Sequence, residues 1–245
     1  MKQNIEFFDT LDQGWEETLA NTYENANSIK IKPVKDSEGR LVIEKSQHNG
    51  DESLIGTIIL PKGVEIIHKN AFTDCKNITG VNFPASLKYI HMFAFDGCDN
   101  LSGHLNFNEG LTRIQAFSFA SCPNLTTISI PSTMNNIDSF SFCESGLTGD
   151  LNIPGTIKYV GSGAFKGCKN LNGTLTLEEG LQRILYNSFK DCPFTGELHI
   201  PESVYAIEQS AFDGCKFDVI YVNEHMSKIW DKHWKHGCDA EIKYY

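Results

Sequence analysis

The chain has 245 residues, 40% of them hydrophobic and 21% charged, and a formal net charge of −10 at pH 7. This composition is typical of a folded domain with a sizeable core and excludes a disordered tail. The sequence lacks any apolar run of the roughly 18 residues that a membrane-spanning helix needs, and its negative charge argues against binding to nucleic acid or to an anionic membrane surface.

Residues 1–53 do not share the pattern of the rest of the chain. Apolar residues recur there at intervals of four, at Leu11, Trp15, Leu19 and Tyr23. This spacing predicts a helix. Alternating segments at 28–34 and 40–45 flank a four-residue loop that begins at Asp36 and predict a hairpin, with Pro33 placing the first strand at a sheet edge. We expect residues 1–53 to cap the next segment or to form a small α+β subdomain.

From position 54 to position 218 the sequence repeats with a period of roughly 23 to 24 residues, within the range that marks solenoid proteins. A phenylalanine marks each copy: Phe72, Phe95, Phe119, Phe142, Phe165, Phe189 and Phe212. An apolar–polar–apolar triplet, often followed by proline, opens the copy, as in Leu198-His-Ile-Pro201. A unit this short cannot bury its apolar face alone, so we predict a solenoid in which successive triplets pair as parallel strands.

A cysteine follows most of these phenylalanines by three positions, at Cys75, Cys98, Cys122, Cys168, Cys192 and Cys215. We expect a ladder of buried thiols, because parallel side chains make poor disulfide geometry and a line of ligands does not converge on a metal. The fourth copy differs, since Cys143 directly follows Phe142 and the segment before Leu147 is one residue short. A local bend or shifted loop is expected there.

A longer period of roughly 70 residues lies on top of the short one, again as self-similarity at a fixed spacing. It aligns Arg113 with Arg183 and Pro131 with Pro201, so residues 81–150 and 151–220 are interpreted as a duplicated set of three repeats.

Residues 219–245 are predicted to close the C-terminal end of the solenoid. The segment 219–222 has the pattern of a last strand, 224–235 that of a short helix, and 240–245 that of a closing strand. Such a cap covers strand edges that would otherwise promote aggregation.

The segment from Leu151 to Cys168, Leu-Asn-Ile-Pro-Gly-Thr-Ile-Lys-Tyr-Val-Gly-Ser-Gly-Ala-Phe-Lys-Gly-Cys, resembles the repeat of the BspA-like, or Treponema-type, leucine-rich-repeat surface proteins. The resemblance covers about residues 54 to 245. It implies a leucine-rich-repeat solenoid, mainly β, with a parallel concave sheet and irregular connecting segments opposite it. It also implies about seven repeats, each of roughly 23 to 24 residues, and a cap at each end.

The same resemblance implies a protein-recognition or adhesion module that is displayed on or secreted from a bacterial cell and binds host or matrix proteins. The first residues lack the apolar segment of a secretion signal. An intracellular, cytoplasmic interaction scaffold is therefore the alternative, and the unpaired thiols favour it.

Three groups of residues are candidates for a metal, catalytic or nucleotide-binding site. Candidate metal ligands occur at Asp231, His233, His236 and Cys238, but their spacing matches no known zinc pattern. Glu197, His199 and Asp150 could share one strand face. The glycines at 161–167 belong to the repeat's own turn and not to a nucleotide-binding loop. We predict no catalytic residue, no metal and no cofactor, and hence no enzyme.

Two outward rows of side chains are candidates for partner binding. The middle positions of the triplets are mostly small and polar: Ile59, Asn82, Asn106, Ser129, Asn152, Thr176, His199 and Tyr221. The row after the following turn has larger side chains, at Lys88, Tyr89, Arg113, Lys158, Tyr159, Arg183 and Tyr205. Because Tyr and Arg are enriched at binding hot spots, we predict that this locally basic row contacts an acidic or extended protein partner; the alternative is that it only keeps the sheet edge soluble.

Overall fold

A computed structural model describes residues 28–245 as a solenoid of about nine turns. Each turn adds strands to two ladders. The first ladder contains β1 (Ser28–Lys30), β4 (Gly56–Ile59), β6 (Ile78–Asn82), β8 (Gly103–Asn106), β10 (Leu125–Ser129), β12 (Leu151–Ile153), β14 (Leu175–Leu177), β16 (Glu197–His199), β18 (Val219–Val222) and β19 (Glu241–Tyr244). The second contains β2 (Val34–Lys35), β3 (Leu41–Ile43), β5 (Val64–Ile67), β7 (Tyr89–Ile90), β9 (Arg113–Ile114), β11 (Asn136–Ile137), β13 (Tyr159–Val160), β15 (Arg183–Ile184) and β17 (Ala206–Ile207).

Pairing in both ladders is parallel except between β2 and β3. The predicted leucine-rich-repeat solenoid is therefore confirmed. The second ladder replaces the irregular segments that we expected opposite the sheet. Its short strands form because one residue of each pair, such as Ile90 or Ile114, is buried while its neighbour stays exposed, and the main chains of adjacent turns lie close enough to pair.

The repeat phenylalanines form one column through the core. Successive rings stack with centroids 5.0–5.7 Å apart and interplanar angles of 3–13°. His48 stacks on Phe72 at 5.3 Å, and Trp234 meets Phe212 edge-on at 6.0 Å. Other ring side chains thus take the phenylalanine position in the first and last coils, which is why the sequence pattern shows only seven of the nine turns.

The cysteines form a second buried column, as predicted. Most of these thiols donate a hydrogen bond to the carbonyl of the ring residue one coil earlier, as Cys98 does to Phe72 at 3.2 Å. All eight cysteines are free, and burial raises the pKa of the Cys122 thiol to about 12. In the fourth copy Ser145 takes the cysteine position, with its hydroxyl 3.3 Å from the Cys168 sulfur.

A further aromatic column lies at the surface, where Phe93, Phe117 and Phe140 stack at 4.9 and 4.8 Å. All three have left-handed backbones, with φ between 57° and 60°. The next coil has Gly163 at this position, and a Cβ there would lie 2.4 Å from the Phe140 ring. Glycine at this point makes room for the last ring of the stack.

The predicted N-terminal hairpin is only partly correct. Val34–Lys35 and Leu41–Ile43 pair antiparallel around a turn in which Gly39 donates to the Asp36 carbonyl at 3.0 Å. Ser28–Lys30, in contrast, runs parallel to β4 and starts the first ladder. The prediction of a single strand over 28–34 was wrong, because the chain crosses from the first ladder to the second within that segment. The helix predicted over 11–23 lies outside the described residues.

The C-terminal strands are confirmed, whereas the predicted helix over 224–235 is too long. The structure has one helical turn, α1 (Glu224–Ser227), in which Asn223 caps the amides of residues 225 and 226. The chain then turns because Trp230 and Trp234 are buried at core positions of the last coil, and the Trp230 indole donates to the Val204 carbonyl at 3.2 Å. β19 closes the ladder by pairing with β18.

The first ladder is interrupted at three junctions between neighbouring coils. The strands on either side do not pair at β6/β8, at β10/β12 or at β14/β16. The second interruption lies at the short fourth copy, where a bend or shifted loop was expected. Across it the second ladder is continuous, since Asn136 and Ile137 of β11 pair with Tyr159 and Val160 of β13.

Candidate functional site

The structure places the predicted large side chains on the second ladder and next to it. Tyr89 pairs with Arg113, and Tyr159 pairs with Arg183, each as neighbours on adjacent strands. Asn136 of β11 lies between the two pairs. We call Tyr89, Arg113, Tyr159 and Arg183, with the flanking Lys88, Lys158 and Tyr205, the Tyr/Arg row.

A buried carboxylate that the sequence analysis missed joins the two halves of the Tyr/Arg row. The Asp138 side chain accepts hydrogen bonds from Nε and Nη2 of Arg113, both at 3.0 Å, and from the Tyr159 hydroxyl at 3.1 Å. Burial, and then the neighbouring Asp138 carboxylate, raises the pKa of the Tyr159 phenol. Arg113 and Tyr159 are thus held in fixed orientations across three coils.

Carboxylates also neutralise two other cations of the row. Arg183 pairs with Glu208 at 3.2 Å and Lys88 pairs with Glu65 at 2.8 Å. The positive charge expected for this row is thus largely balanced by acids from the neighbouring coils. The longer sequence period contains the signal, since Asp138 and Glu208 both follow their arginine partners at a sequence separation of 25.

The remaining members of the row differ in how much contact area they offer. Tyr89 is 39% exposed and Tyr205 is 49% exposed. The Lys158 ammonium donates to the carbonyls of Gly155 and Gly180, both at 3.3 Å. The two exposed tyrosines therefore present apolar rings with a polar tip, Tyr89 beside Arg113 and Tyr205 at the other end of the row.

The middle row of the first ladder contains one aromatic cluster. His199 stacks on Tyr221 at 4.4 Å, and the Lys243 ammonium lies 5.8 Å from the Tyr221 ring centroid. Glu197 lies 3.8 Å from His199, as the shared strand face predicted. Asp150 does not join them, because it accepts hydrogen bonds from the amide and hydroxyl of Thr174 at 2.6 and 2.9 Å.

The four candidate metal ligands near the C-terminus separate in the structure. His233 lies 3.7 Å from Asp231, His236 lies 4.0 Å from Asp213, and Cys238 is buried in the core. Across residues 28–245 there is no group of three or more His, Cys, Asp or Glu side chains that could hold a metal ion. Within the same range, no helix is long and apolar enough to cross a membrane.

Comparison with known proteins matches the repeat region to one family model. The model of the BspA-type leucine-rich repeat region matches residues 43–172 and 173–236 in six copies. No curated protein sequence matches the chain.

Several solved structures align with this chain. A leucine-rich cell surface protein from Faecalibacterium prausnitzii is 21% identical with a TM-score of 0.52, and the alignment covers 80% of this chain and 63% of that one. The chain thus spans less than two thirds of that protein. The pneumococcal vaccine antigen PcpA is 16% identical with a TM-score of 0.42, covering 78% and 68%. A leucine-rich-repeat protein from Bacteroides ovatus is 14% identical with a TM-score of 0.35, covering 91% and 94%.

Proposed function

Because the chain belongs to the BspA-type leucine-rich repeat family, we propose that it is a non-catalytic recognition module that binds a protein partner through the Tyr/Arg row. Leucine-rich-repeat proteins are typically recognition modules, and stacked repeats offer extended binding surfaces. The observation that carries the proposal is the Asp138 network. It fixes Arg113 and Tyr159 in advance, so that little side-chain freedom is lost when a partner binds.

The charge pattern refines the kind of partner. Each arginine of the row already faces a carboxylate and Lys88 pairs with Glu65, so among the described residues Lys158 is the one cation of the row without an acidic partner. Its exposed area comes from the rings of Tyr89 and Tyr205. These features favour an extended protein segment with apolar side chains and main-chain polar groups over a strongly acidic partner.

We further propose that the protein acts at the bacterial surface or after secretion and binds host or matrix proteins. The Faecalibacterium protein is a cell surface protein, which supports this location. An intracellular scaffold is the second candidate, supported by the eight free cysteines, which are typical of a reducing compartment. Fractionation of the native source with an antibody to this chain distinguishes the two.

The binding surface is tested with a triple variant, Tyr89→Ala, Arg183→Ala and Tyr205→Ala, in pull-downs against matrix and host-cell proteins. Arg113 and Tyr159 are left intact, since removing either would leave Asp138 buried with fewer partners. A matched control changes two exposed tyrosines outside the row, Tyr186→Ala and Tyr244→Ala. Loss of capture in the triple variant but not in the control variant supports the proposal. Equal capture by the unmodified chain, the triple variant and the control variant contradicts it.

A further inference from the structure

The β10/β12 interruption opens a groove in the first ladder. Its volume is about 350 Å³, and its walls come from the two strands that fail to pair. The main residues that line it are Thr126, Ile128, Ile130, Asp150, Asn152 and Leu171. We call it the β10–β12 groove.

Main-chain hydrogen bonds join the two coils before and after the groove. At one end the Thr148 amide donates to the Thr126 carbonyl at 2.9 Å. At the other end the Lys158 amide donates to the Asn135 carbonyl at 2.6 Å, where the second ladder resumes. Only the middle of this coil junction lacks strand pairing.

The main chain of β10 has an unused edge along the groove. In two of the paired coils the amide after the strand donates to the next coil: Leu60 donates to Asn82 at 3.2 Å and Ile200 to Tyr221 at 3.0 Å. The equivalent amide of Ile130 has no hydrogen-bond partner among the described residues. Because alternate residues of a parallel strand bond to opposite neighbours, the main chain of Ile128 faces the same edge.

The gap also uncovers apolar side chains that other coils bury. Ile128 and Ile130 are half-buried, whereas Leu198 and Ile200, at the same repeat positions, are buried. Burial of these two side chains by a ligand would contribute favourable free energy, at roughly 25 cal/mol per Å² of apolar area removed from water.

The other two interruptions are partly closed by the protein itself. At β6/β8 Phe83 is also half-buried, but its ring stacks on Phe107 at 5.4 Å and its carbonyl accepts from the Asn108 side chain at 2.6 Å. At β14/β16 the flanking Leu177 and Leu198 are buried. The β10–β12 groove combines half-buried isoleucines with an unpaired amide that nothing within residues 28–245 covers.

We propose that the β10–β12 groove binds an extended, uncharged or basic segment of a partner protein by strand addition. The segment's carbonyl would accept from the Ile130 amide, and its apolar side chains would cover Ile128 and Ile130. An unpaired strand edge favours main-chain pairing of this kind. The lining contains one carboxylate, Asp150, and no Lys or Arg, which disfavours an acidic segment. The proposal rests on the recognition role proposed above but uses a different surface from the Tyr/Arg row.

A defined peptide tests strand addition directly. The probe is acetyl-Gly-Thr-Leu-Thr-Leu-amide, which copies residues 173–177 and so carries the uncharged, alternating pattern of a strand that pairs with β12. It is titrated into the full-length, ¹⁵N-labelled chain while the backbone amides are followed by NMR. We expect saturable shifts at Ile128, Ile130 and Asn152.

Two controls separate main-chain pairing from apolar adsorption. The same peptide N-methylated at both leucines cannot pair as a strand and should bind about tenfold more weakly. Ile130→Asp should weaken binding by about tenfold or more, after its thermal unfolding shows that it folds. Asn106→Ala should bind normally, because Asn106 is exposed on the neighbouring strand β8 and does not line the groove.

Equal binding of the two peptides would overturn the proposal, as would the absence of groove shifts at the solubility limit of the probe. Neither result bears on the Tyr/Arg row, since the triple variant that tests the proposed function leaves the groove intact. Conversely, normal partner capture by that triple variant would contradict the Tyr/Arg row as the binding surface. It would not test strand addition in the groove, which the peptide titration tests.

Discussion

Two junctions of the same solenoid, made from equivalent repeat positions, differ in their main-chain pairing. Between β16 and β18 the strands pair in parallel and the Ile200 amide continues the ladder. Between β10 and β12 the strands part, although the phenylalanine column passes through without a break. The core column and the sheet are therefore separable, because the rings stay stacked across a junction at which the strands do not pair.

A shortened segment accompanies two of the three interruptions. The buried Leu125 lies six positions beyond Phe119, whereas Leu147 lies five beyond Phe142. The same shortening, from six to five, accompanies the β14/β16 interruption. The strands pair when both lengths are five, as before β16 and β18, and when the length increases from five to six, as before β12 and β14. The β6/β8 interruption occurs between segments of equal length, and nothing in the structure explains it.

The largest effect is expected where the two junctions are alike. The ring centroids of Phe142 and Phe165 are 5.6 Å apart across the groove junction, and those of Phe189 and Phe212 are 5.7 Å apart across paired coils. Phe142→Ala and Phe189→Ala should each lower the free energy of unfolding by about 3–5 kcal/mol. Chemical denaturation checks this, and a much smaller loss for Phe142→Ala would show that the core also loosens at the groove.

A glycine at the short segment should be nearly as sensitive. A Cβ on Gly146 would lie 1.9 Å from the Pro123 carbonyl oxygen, so Gly146→Ala should cost about 2–3 kcal/mol. Gly149 has φ of +71° but open space around it, so Gly149→Ala should cost only about 1 kcal/mol. If both variants unfold at the same denaturant concentration, the two coils do not approach each other closely at Gly146.

Truncating the strand side chains should reveal the difference between the junctions. Ile200 is buried beneath a paired strand, so Ile200→Ala should lower stability by about 2–4 kcal/mol. Ile130 is half-buried at the groove, so Ile130→Ala should cost about 1 kcal/mol. Thermal unfolding of the two variants side by side is the measurement, and equal losses would contradict an open groove.

The smallest effect is expected on the opposite side of the groove junction, where Asp138 ties the coils together. Tyr159→Phe removes the hydrogen bond to Asp138 and should cost about 1 kcal/mol. Tyr205→Phe is the matched control, since the Tyr205 hydroxyl has no hydrogen-bond partner within the part of the chain that the structure describes, and its stability should not change. Urea denaturation measures both, and a change in Tyr205→Phe equal to that in Tyr159→Phe would argue against the network.

The sequence predicted the solenoid because one bulky residue recurs at a fixed spacing and leaves a single way to bury it. It did not show the first and last coils, because His48 and Trp234 replace phenylalanine there. It located the large side chains of the Tyr/Arg row but not the carboxylates that neutralise them, since Asp138 and Glu208 approach their arginines only when neighbouring coils are aligned. The short fourth copy indicated a shifted loop, whereas the groove depends on which main-chain groups remain unpaired.

Amide hydrogen exchange tests the separation of sheet and column most directly. Two-dimensional NMR of the ¹⁵N-labelled chain compares Ile130 with Ile200, which occupy the same position in different coils. The Ile200 amide, which donates to the Tyr221 carbonyl at 3.0 Å, should exchange about a hundredfold or more slowly than the Ile130 amide. Equal protection of the two amides would mean that the ladder is continuous through β10 and β12, and that the groove does not exist in solution.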